Sequence, residues 1–158
     1  MNRIALIALL LFAPAAWSQE DEIKDGDMFR LWDNCNPMDL MVFVEKDPKN
    51  IVLAEEDVET AVRSRLRAAR LYDEEAINVI IVEVLFAGSA FGIQYTYSKG
   101  VQDLSSGLVN LASTWHRVIF GSHGQNPSFV LSRASYLVDL FVDEYLRVNE
   151  SACQKQAG

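Results

Sequence analysis

The sequence predicts an α+β domain with the element order β-α-β-β-β-α. An N-terminal strand and a three-stranded antiparallel meander form its sheet, and two helices pack on one face. Two segments have apolar residues at helical spacing, and three long segments between them are β-branched or alternate apolar with polar residues. The single domain is predicted at residues 38–153, between an irregular acidic lead-in at 19–37 and a C-terminal tail at 154–158.

The first strand and the first helix are predicted from residues that lie close together in the sequence. The apolar run at residues 40–44 ends in charge and then Pro48, which is typical of a strand. The segment 55–72 has acidic residues in its first turn and arginines in its last, which complement a helix dipole. Its apolar residues recur on one helical stripe and predict the buried face: Val58, Val62, Leu66 and Ala69.

Three strands are predicted to follow as a meander. "AINVIIVEVLFAG" is apolar in nearly both alternating sets, which indicates a central strand. "SAFGIQYTYSKG" alternates, with aromatic and aliphatic residues on one face and Gln94, Thr96 and Ser98 on the wetter one. In "LVNLASTWHRVIFG" the alternation puts Leu111, Trp115 and Ile119 on one face, and the other face carries Asn110, Thr114, His116 and Val118.

The last helix is predicted to begin with Asn126 as N-cap and Pro127 as first helical residue. Apolar residues recur every three or four positions after it and predict a core-facing stripe: Val130, Ala134, Leu137, Phe141, Tyr145 and Val148. Asn149 near its end opens an N-x-S tripeptide, a glycosylation acceptor that matters only in a eukaryotic secretory route.

Residues 1–18 are predicted to be a signal peptide, with Arg3 before an apolar stretch and a tail of mostly small residues. Cleavage is expected after Ser18, and a cut after Ala15 is the alternative. The apolar run is shorter than the roughly 18 residues needed to cross a bilayer, so no transmembrane segment is predicted in the mature chain. The expected location is the periplasm or the extracellular space.

The charge balance argues against nucleic acid as a partner. The chain has 14 basic and 22 acidic residues and a net charge of −8. Binding to nucleic acid or to anionic lipid headgroups is built from Lys and Arg that neutralise phosphate, so a chain of this charge repels both.

The two cysteines, Cys35 and Cys153, are predicted to form a disulfide because an exported chain meets an oxidising environment. A metal site or a reactive thiol is the alternative, but neither cysteine lies in a C-x-x-C motif or beside a histidine. No metal, cofactor or catalytic residue is predicted, since the phosphate-loop and G-x-S-x-G motifs are both absent from the sequence.

Two polar features are candidate binding sites. The first helix carries arginines that could face a partner, or could form a solvated face paired with neighbouring acids: Arg63, Arg67 and Arg70. The loop "GSHGQNP" before the last helix could bind an anion at the helix N-terminus, or could be only a tight strand-to-helix connection: Gly121, Ser122, His123 and Gly124.

The patterns "VETAVRSRLRAARLY", "INVIIVEVLFAG" and "YLVDLFVDEYLRVN" resemble those of small bacterial envelope domains over residues 38–149. The element order is similar to the amino-terminal domain of TolB and to auxiliary components of envelope ABC transporters. This resemblance implies a non-catalytic module that docks an envelope protein, and it transfers no functional residues.

Two functions are therefore expected. The first is a periplasmic interaction or accessory module that uses its sheet face, an edge strand or the arginine-bearing helix, with an envelope protein as partner. The alternative is a small-molecule carrier whose pocket between sheet and helices is lined by aromatic residues: Phe91, Tyr95, Tyr97, Trp115 and Phe120. No oligomeric state is predicted.

Overall fold

The computed structural model describes residues 23–45 and 52–156. These ranges form, in order, α1 (Asp25–Leu31), β1 (Asp39–Val44), α2 (Glu55–Ala68), β2 (Val79–Ala87), β3 (Ala90–Gln102), β4 (Val109–Ser122) and α3 (Pro127–Gln156). The predicted α+β class and the order from β1 to α3 are confirmed. The predicted signal peptide lies outside the described residues.

The sheet has the strand order β1-β2-β3-β4. β1 is parallel to β2, and the two are connected through α2. β2, β3 and β4 are antiparallel neighbours, as the predicted meander requires. β1 and β4 are therefore the two edge strands.

The helices α2 and α3 cover one face of this sheet. α2 buries Val58, Val62 and Leu66, as its sequence stripe predicts. The rings on that side of β3 and β4 pack against α3, with the centroid of Phe141 5.5 Å from that of Tyr97 and 5.1 Å from that of Trp115. Within the described ranges, no helix is both long and apolar enough to cross a membrane.

The described parts of the two segments that flank the predicted domain are more helical than predicted. The lead-in expected to be irregular contains α1, which was missed because its seven residues bury only Leu31 and so show no periodic stripe. The tail expected from residue 154 continues α3 as far as Gln156. Gln156 Nε2 donates a hydrogen bond to the backbone oxygen of Asn34 at 3.0 Å, which holds this last turn against the chain after α1.

A β-bulge in β4 changes which side chains share a face. Tyr97 lies opposite Trp115, but Ser98 lies opposite Ser113, so Thr114 is the extra residue. Leu111 therefore does not share a face with Trp115 as predicted, and it is 45% exposed while Trp115 is 1% exposed. The bulged Thr114 donates its hydroxyl to the backbone oxygen of Arg30 at 2.7 Å, which positions α1 beside the sheet.

The predicted Cys35–Cys153 disulfide is confirmed, with the two Cα atoms 5.1 Å apart and 118 positions between the residues. It joins the chain after α1 to the last turns of α3. In the chain-entropy model a cross-link that closes a loop this long stabilises the fold mainly by restricting the unfolded chain.

We expect the double variant Cys35→Ser/Cys153→Ser to lower the free energy of unfolding by about 4 kcal/mol, because the unfolded chain regains its loop entropy. Urea denaturation of the oxidised protein and of the variant measures this loss. Reduction of the wild-type protein serves as control and should give a similar loss. A loss below about 1 kcal/mol would contradict the entropic account.

The residue that follows the C-cap of α2 has a left-handed backbone. Arg70 has φ 59°, its amide bonds the oxygen of Arg67 at 2.9 Å, and the amide of Leu71 bonds the oxygen of Leu66 at 2.8 Å. This is a Schellman motif, in which glycine normally takes the left-handed position because a Cβ there is strained.

The variant Arg70→Gly should therefore raise the free energy of unfolding by about 0.5–1 kcal/mol, the relieved strain minus the added entropy of the unfolded chain. Arg70→Ala is the matched control, since it removes the same charge but keeps the Cβ, and it should bring no gain. Equal effects of the two variants on urea denaturation would show that backbone strain is not the cause.

Candidate functional site

An open cleft of about 820 Å³ lies where α1 and the chain after it face the start of β2 and the end of β3. Its rim is apolar and largely exposed, with Phe29 on α1, Ile77 before β2 and Val109 at the start of β4. Asp33 and Lys99 are the charged residues that line it. A cavity with apolar walls and a few polar groups is the usual form of a small-ligand site.

Asp33 is a structural carboxylate at the edge of this cleft. It accepts hydrogen bonds from the hydroxyls of Tyr97 and Tyr145 and, at 2.9 Å, from Asn78 Nδ2. Burial raises the pKa of Asp33, and the bonds from the two tyrosines oppose that rise. Burial and the charge of Asp33 raise the pKa of both tyrosines, so their hydroxyls stay protonated donors.

Asn149 of α3 holds the same stretch of chain from the other side. Its Oδ1 accepts the amides of Asp33 at 3.1 Å and Cys35 at 3.2 Å, and its Nδ2 donates to the backbone oxygens of Leu31 and Tyr145, each at 3.0 Å. Asn149 is fully buried, so the side-chain amide that would accept a glycan is not accessible in the folded protein. The sequence held one signal of this role, because Asn149 adjoins the buried stripe of α3 four residues after Tyr145.

Lys99 is the cation of the cleft. It lies on the helix-covered side of β3 and is only 8% exposed, and its ammonium donates to the backbone oxygen of Trp32. None of the ion pairs found among the described residues includes it. Burial lowers the pKa of Lys99, and the nearby charge of Asp33 opposes that change. Sequence reasoning missed this lysine because it stands at the end of an alternating strand, where a lysine is usually solvated.

Two of the three arginines predicted to face a partner lie over one aromatic ring. The guanidinium carbons of Arg63 and Arg67 lie 5.4 and 5.0 Å from the ring centroid of Tyr72. Arg63 also pairs with Glu59 one turn earlier, which is the alternative arrangement that the sequence left open. Arg67 and Arg70 are exposed, and their role as partner-facing residues stays a prediction.

In the loop before α3, His123 is buried. Its Nδ1 accepts the amide of Gln125 at 2.9 Å, so Nε2 carries the proton and donates to the oxygen of Gly88 at 2.9 Å. The ring thereby ties this loop to the β2–β3 turn. Asn126 caps α3 as predicted, since its Oδ1 accepts the amide of Phe129 at 3.1 Å.

The glycines of this loop also have structural roles. A Cβ on Gly121 would lie 2.8 Å from the ring of Phe91, and Gly124 has φ 52°. Ser122 is the exposed last residue of β4. Anion binding by residues 121–124 stays a prediction, and the described contacts favour its alternative, a tight connection.

The aromatic residues proposed for a carrier pocket do not line one space. Phe91, Tyr95, Tyr97 and Trp115 are core residues, each at most 2% exposed, whereas Phe120 is 83% exposed. The alternation of β4 after the bulge puts Phe120 on the opposite face of the sheet from Trp115. Phe120 therefore does not share a pocket with the other four residues, and a carrier role stays a prediction.

The sheet face away from α2 and α3, here called the outer face, carries exposed apolar residues. Alternation along each strand places them there. On β1, β2 and β4 they are Met41, Phe43, Leu85, Leu111, Val118 and Phe120. Exposed apolar residues gathered on one face of a sheet are a common feature of interaction surfaces.

The two edge strands differ in whether side chains accept the backbone amides that point away from the sheet. On β1, side chains occupy two outward amides: Asp39 Oδ1 accepts Leu40 N at 2.7 Å and Glu55 Oε2 accepts Val44 N at 3.4 Å. Just after β4, the amide of His123 donates to the oxygen of Ser89 at 3.0 Å. From there back along β4, successive amides point alternately away from β3 and toward it. Alternate amides of β4 after the bulge therefore point away from β3, and three consecutive ones of this set form what we call the β4 edge strip: His116, Val118 and Phe120.

We expect Asn149→Ala to lower the free energy of unfolding by about 3 kcal/mol, because it leaves a buried amide, a part-buried amide and a buried carbonyl without partners. Gln154→Ala, at an exposed position of the same helix, is the matched control and should change stability by less than about 0.5 kcal/mol. Urea denaturation of both variants measures the difference. Similar small effects would mean that water satisfies the groups left by Asn149.

No family model and no curated protein matches the chain. Among solved structures, a minor lipoprotein from Acinetobacter baumannii is similar at 13% identity, with 75% of this chain and 89% of that chain covered and a TM-score of 0.22. A TM-score this low supports no conclusion about fold or function. The resemblance to the TolB amino-terminal domain and to ABC-transporter auxiliary components stays a prediction.

Proposed function

We propose that the protein is a non-catalytic docking module of the bacterial cell envelope, which binds an extended apolar segment of a partner protein along the β4 edge strip. The leader pattern in the sequence and the disulfide support export, since such bridges persist in oxidising compartments. The observation that carries the proposal is the difference between the two edges of the sheet.

Unpaired edge amides invite another strand, and proteins usually block them. Here the carboxylates of Asp39 and Glu55 accept two of the outward amides of β1, those of Leu40 and Val44. On β4 before the bulge, Asn110 Oδ1 accepts the amide of Leu111 at 2.8 Å. After the bulge, the described structure gives the β4 edge strip no such side-chain cap. Strand addition at this edge would supply the missing main-chain hydrogen bonds.

Side chains of the β4 edge strip would give an added strand its specificity. A Cβ on Gly92 would lie 3.2 Å from the ring of Phe120, so this ring lies over the backbone of β3 at Gly92. It is nevertheless 83% exposed. An exposed aromatic ring is a typical anchor of an interface.

The charge around the β4 edge strip defines the partner segment. Residues 116–122 contain no acidic residue, and Arg117 on the opposite face already pairs with Glu144 at 2.6 Å. No fixed charge therefore remains to be matched, and apolar side chains at alternate positions suit the exposed Val118 and Phe120.

The ionisable groups near the core support a non-catalytic role. His123 has both ring nitrogens in hydrogen bonds, and Asp33 accepts three donors. Glu144 accepts Trp115 Nε1 at 2.9 Å and also pairs with Arg117. Each of these groups holds a neighbouring element in place.

The test is photo-cross-linking of the oxidised protein in its own cell envelope, with p-benzoylphenylalanine at Phe120. The matched control position is Phe43, which is 54% exposed on the outer face but lies on the capped strand β1. We expect a partner segment to cross-link at 120 and not at 43. A synthetic peptide of that segment should then bind the purified protein and slow hydrogen exchange at residues 116, 118 and 120.

Val118→Pro removes one outward amide without breaking the β3–β4 ladder, so it should abolish the adduct and the peptide binding. Val118→Thr keeps the amide and should retain both. Equal cross-linking at 43, an unchanged adduct in Val118→Pro, or an adduct with a second copy of this chain alone would overturn the proposal.

A further inference from the structure

The cleft beside α1 contains a buried cation with few partners. Lys99 is 8% exposed, and its ammonium has three donors, of which one bonds the oxygen of Trp32. In residues 23–45 and 52–156, no carboxylate lies within ion-pair distance of it. A largely buried ammonium that forms no ion pair gains from a further acceptor, so its remaining donors favour an anion.

Asp33 does not form an ion pair with the ammonium of Lys99. Its two carboxylate oxygens already accept from Tyr97, Tyr145 and Asn78, which hold it in place beside the cleft. Its charge attracts the ammonium through space without forming an ion pair. Among the described residues, the oxygen of Trp32 is the one hydrogen-bond acceptor of this ammonium, and an anionic ligand would accept its other donors.

The walls of the cleft suit an apolar group. Phe29, Ile77 and Val109 are exposed at its rim, and Leu104 and Leu108 are exposed on the adjoining β3–β4 turn. The volume of about 820 Å³ is within the usual range for small-ligand sites, roughly 300–1,000 Å³. Contact with these side chains would remove apolar surface from water on both sides.

We infer that this cleft binds a small anionic amphiphile, with Lys99 Nζ on its head group and the rim around Phe29 on its apolar tail. A carboxylate or phosphate head group meets the ammonium equally well. The site is separate from the β4 edge strip, because it lies at the opposite end of β3 and β4.

Isothermal titration of the oxidised protein with sodium dodecanoate, dodecyl phosphate and dodecyltrimethylammonium, each below its micelle concentration, tests this inference. We expect both anions to bind at least about tenfold more tightly than the cation, the ratio that one charge-assisted hydrogen bond provides. Lys99→Met keeps the aliphatic stem and should abolish that preference. Lys155→Met, at an exposed position near the end of α3, is the matched control and should retain it.

Equal binding of the anions and the cation, absence of binding, or an unchanged preference in Lys99→Met would overturn the inference. If Lys99→Met does not fold, Phe29→Glu replaces a largely exposed residue and should weaken dodecanoate binding without lowering the melting temperature. Undiminished binding by this variant would equally overturn it. Val118→Pro should leave dodecanoate binding unchanged, so failure of the docking proposal remains distinguishable.

Discussion

The chain between α1 and β1 depends on one buried side chain, the amide of Asn149. It satisfies the amides of Asp33 and Cys35 and the carbonyl of Leu31, groups that would otherwise be buried without partners. With Asp33 held in this way, its carboxylate can accept the hydroxyls of Tyr97 and Tyr145 and so join the chain to β3 and α3. The disulfide at Cys35 adds a covalent link at the same place. These contacts also fix the position of Asp33, which lines the cleft beside α1.

Helices pack on one face of the sheet, and the other face is exposed. α3 packs its rings against Tyr97 and Trp115, which leaves the helix-covered face without room for the aromatic pocket that the sequence suggested. The outer face keeps apolar residues exposed, and of the two edges only β1 has carboxylates on its outward amides in the described structure. A filled core with an exposed apolar face favours docking over carriage between sheet and helices. The cleft beside α1 would add a second, separate binding surface.

Local pattern was sufficient for most of the fold. The stripes of α2 and α3, the alternation of β3 and the Asn126-Pro127 start of α3 are set by residues a few positions apart, so they can be read along the chain. The disulfide could be predicted because export and two cysteines leave one pairing. The bulge at Thr114 could not, because it depends on how α1 meets β4, and it moved Leu111 to the other face.

What the sequence by itself determined is therefore the element order from β1 to α3, the buried stripes, the charge that argues against nucleic acid and the cysteine pair. Only the tertiary structure decided the site. Asp33 and Asn149 are 116 positions apart, and Trp32 and Lys99 are 67 apart, so no local window contains either contact. Whether an edge amide is capped likewise depends on a side chain from another element, as with Glu55 and Val44. Periodicity reports which face of an element is buried, but the partner of a polar group is set by the packing of distant elements.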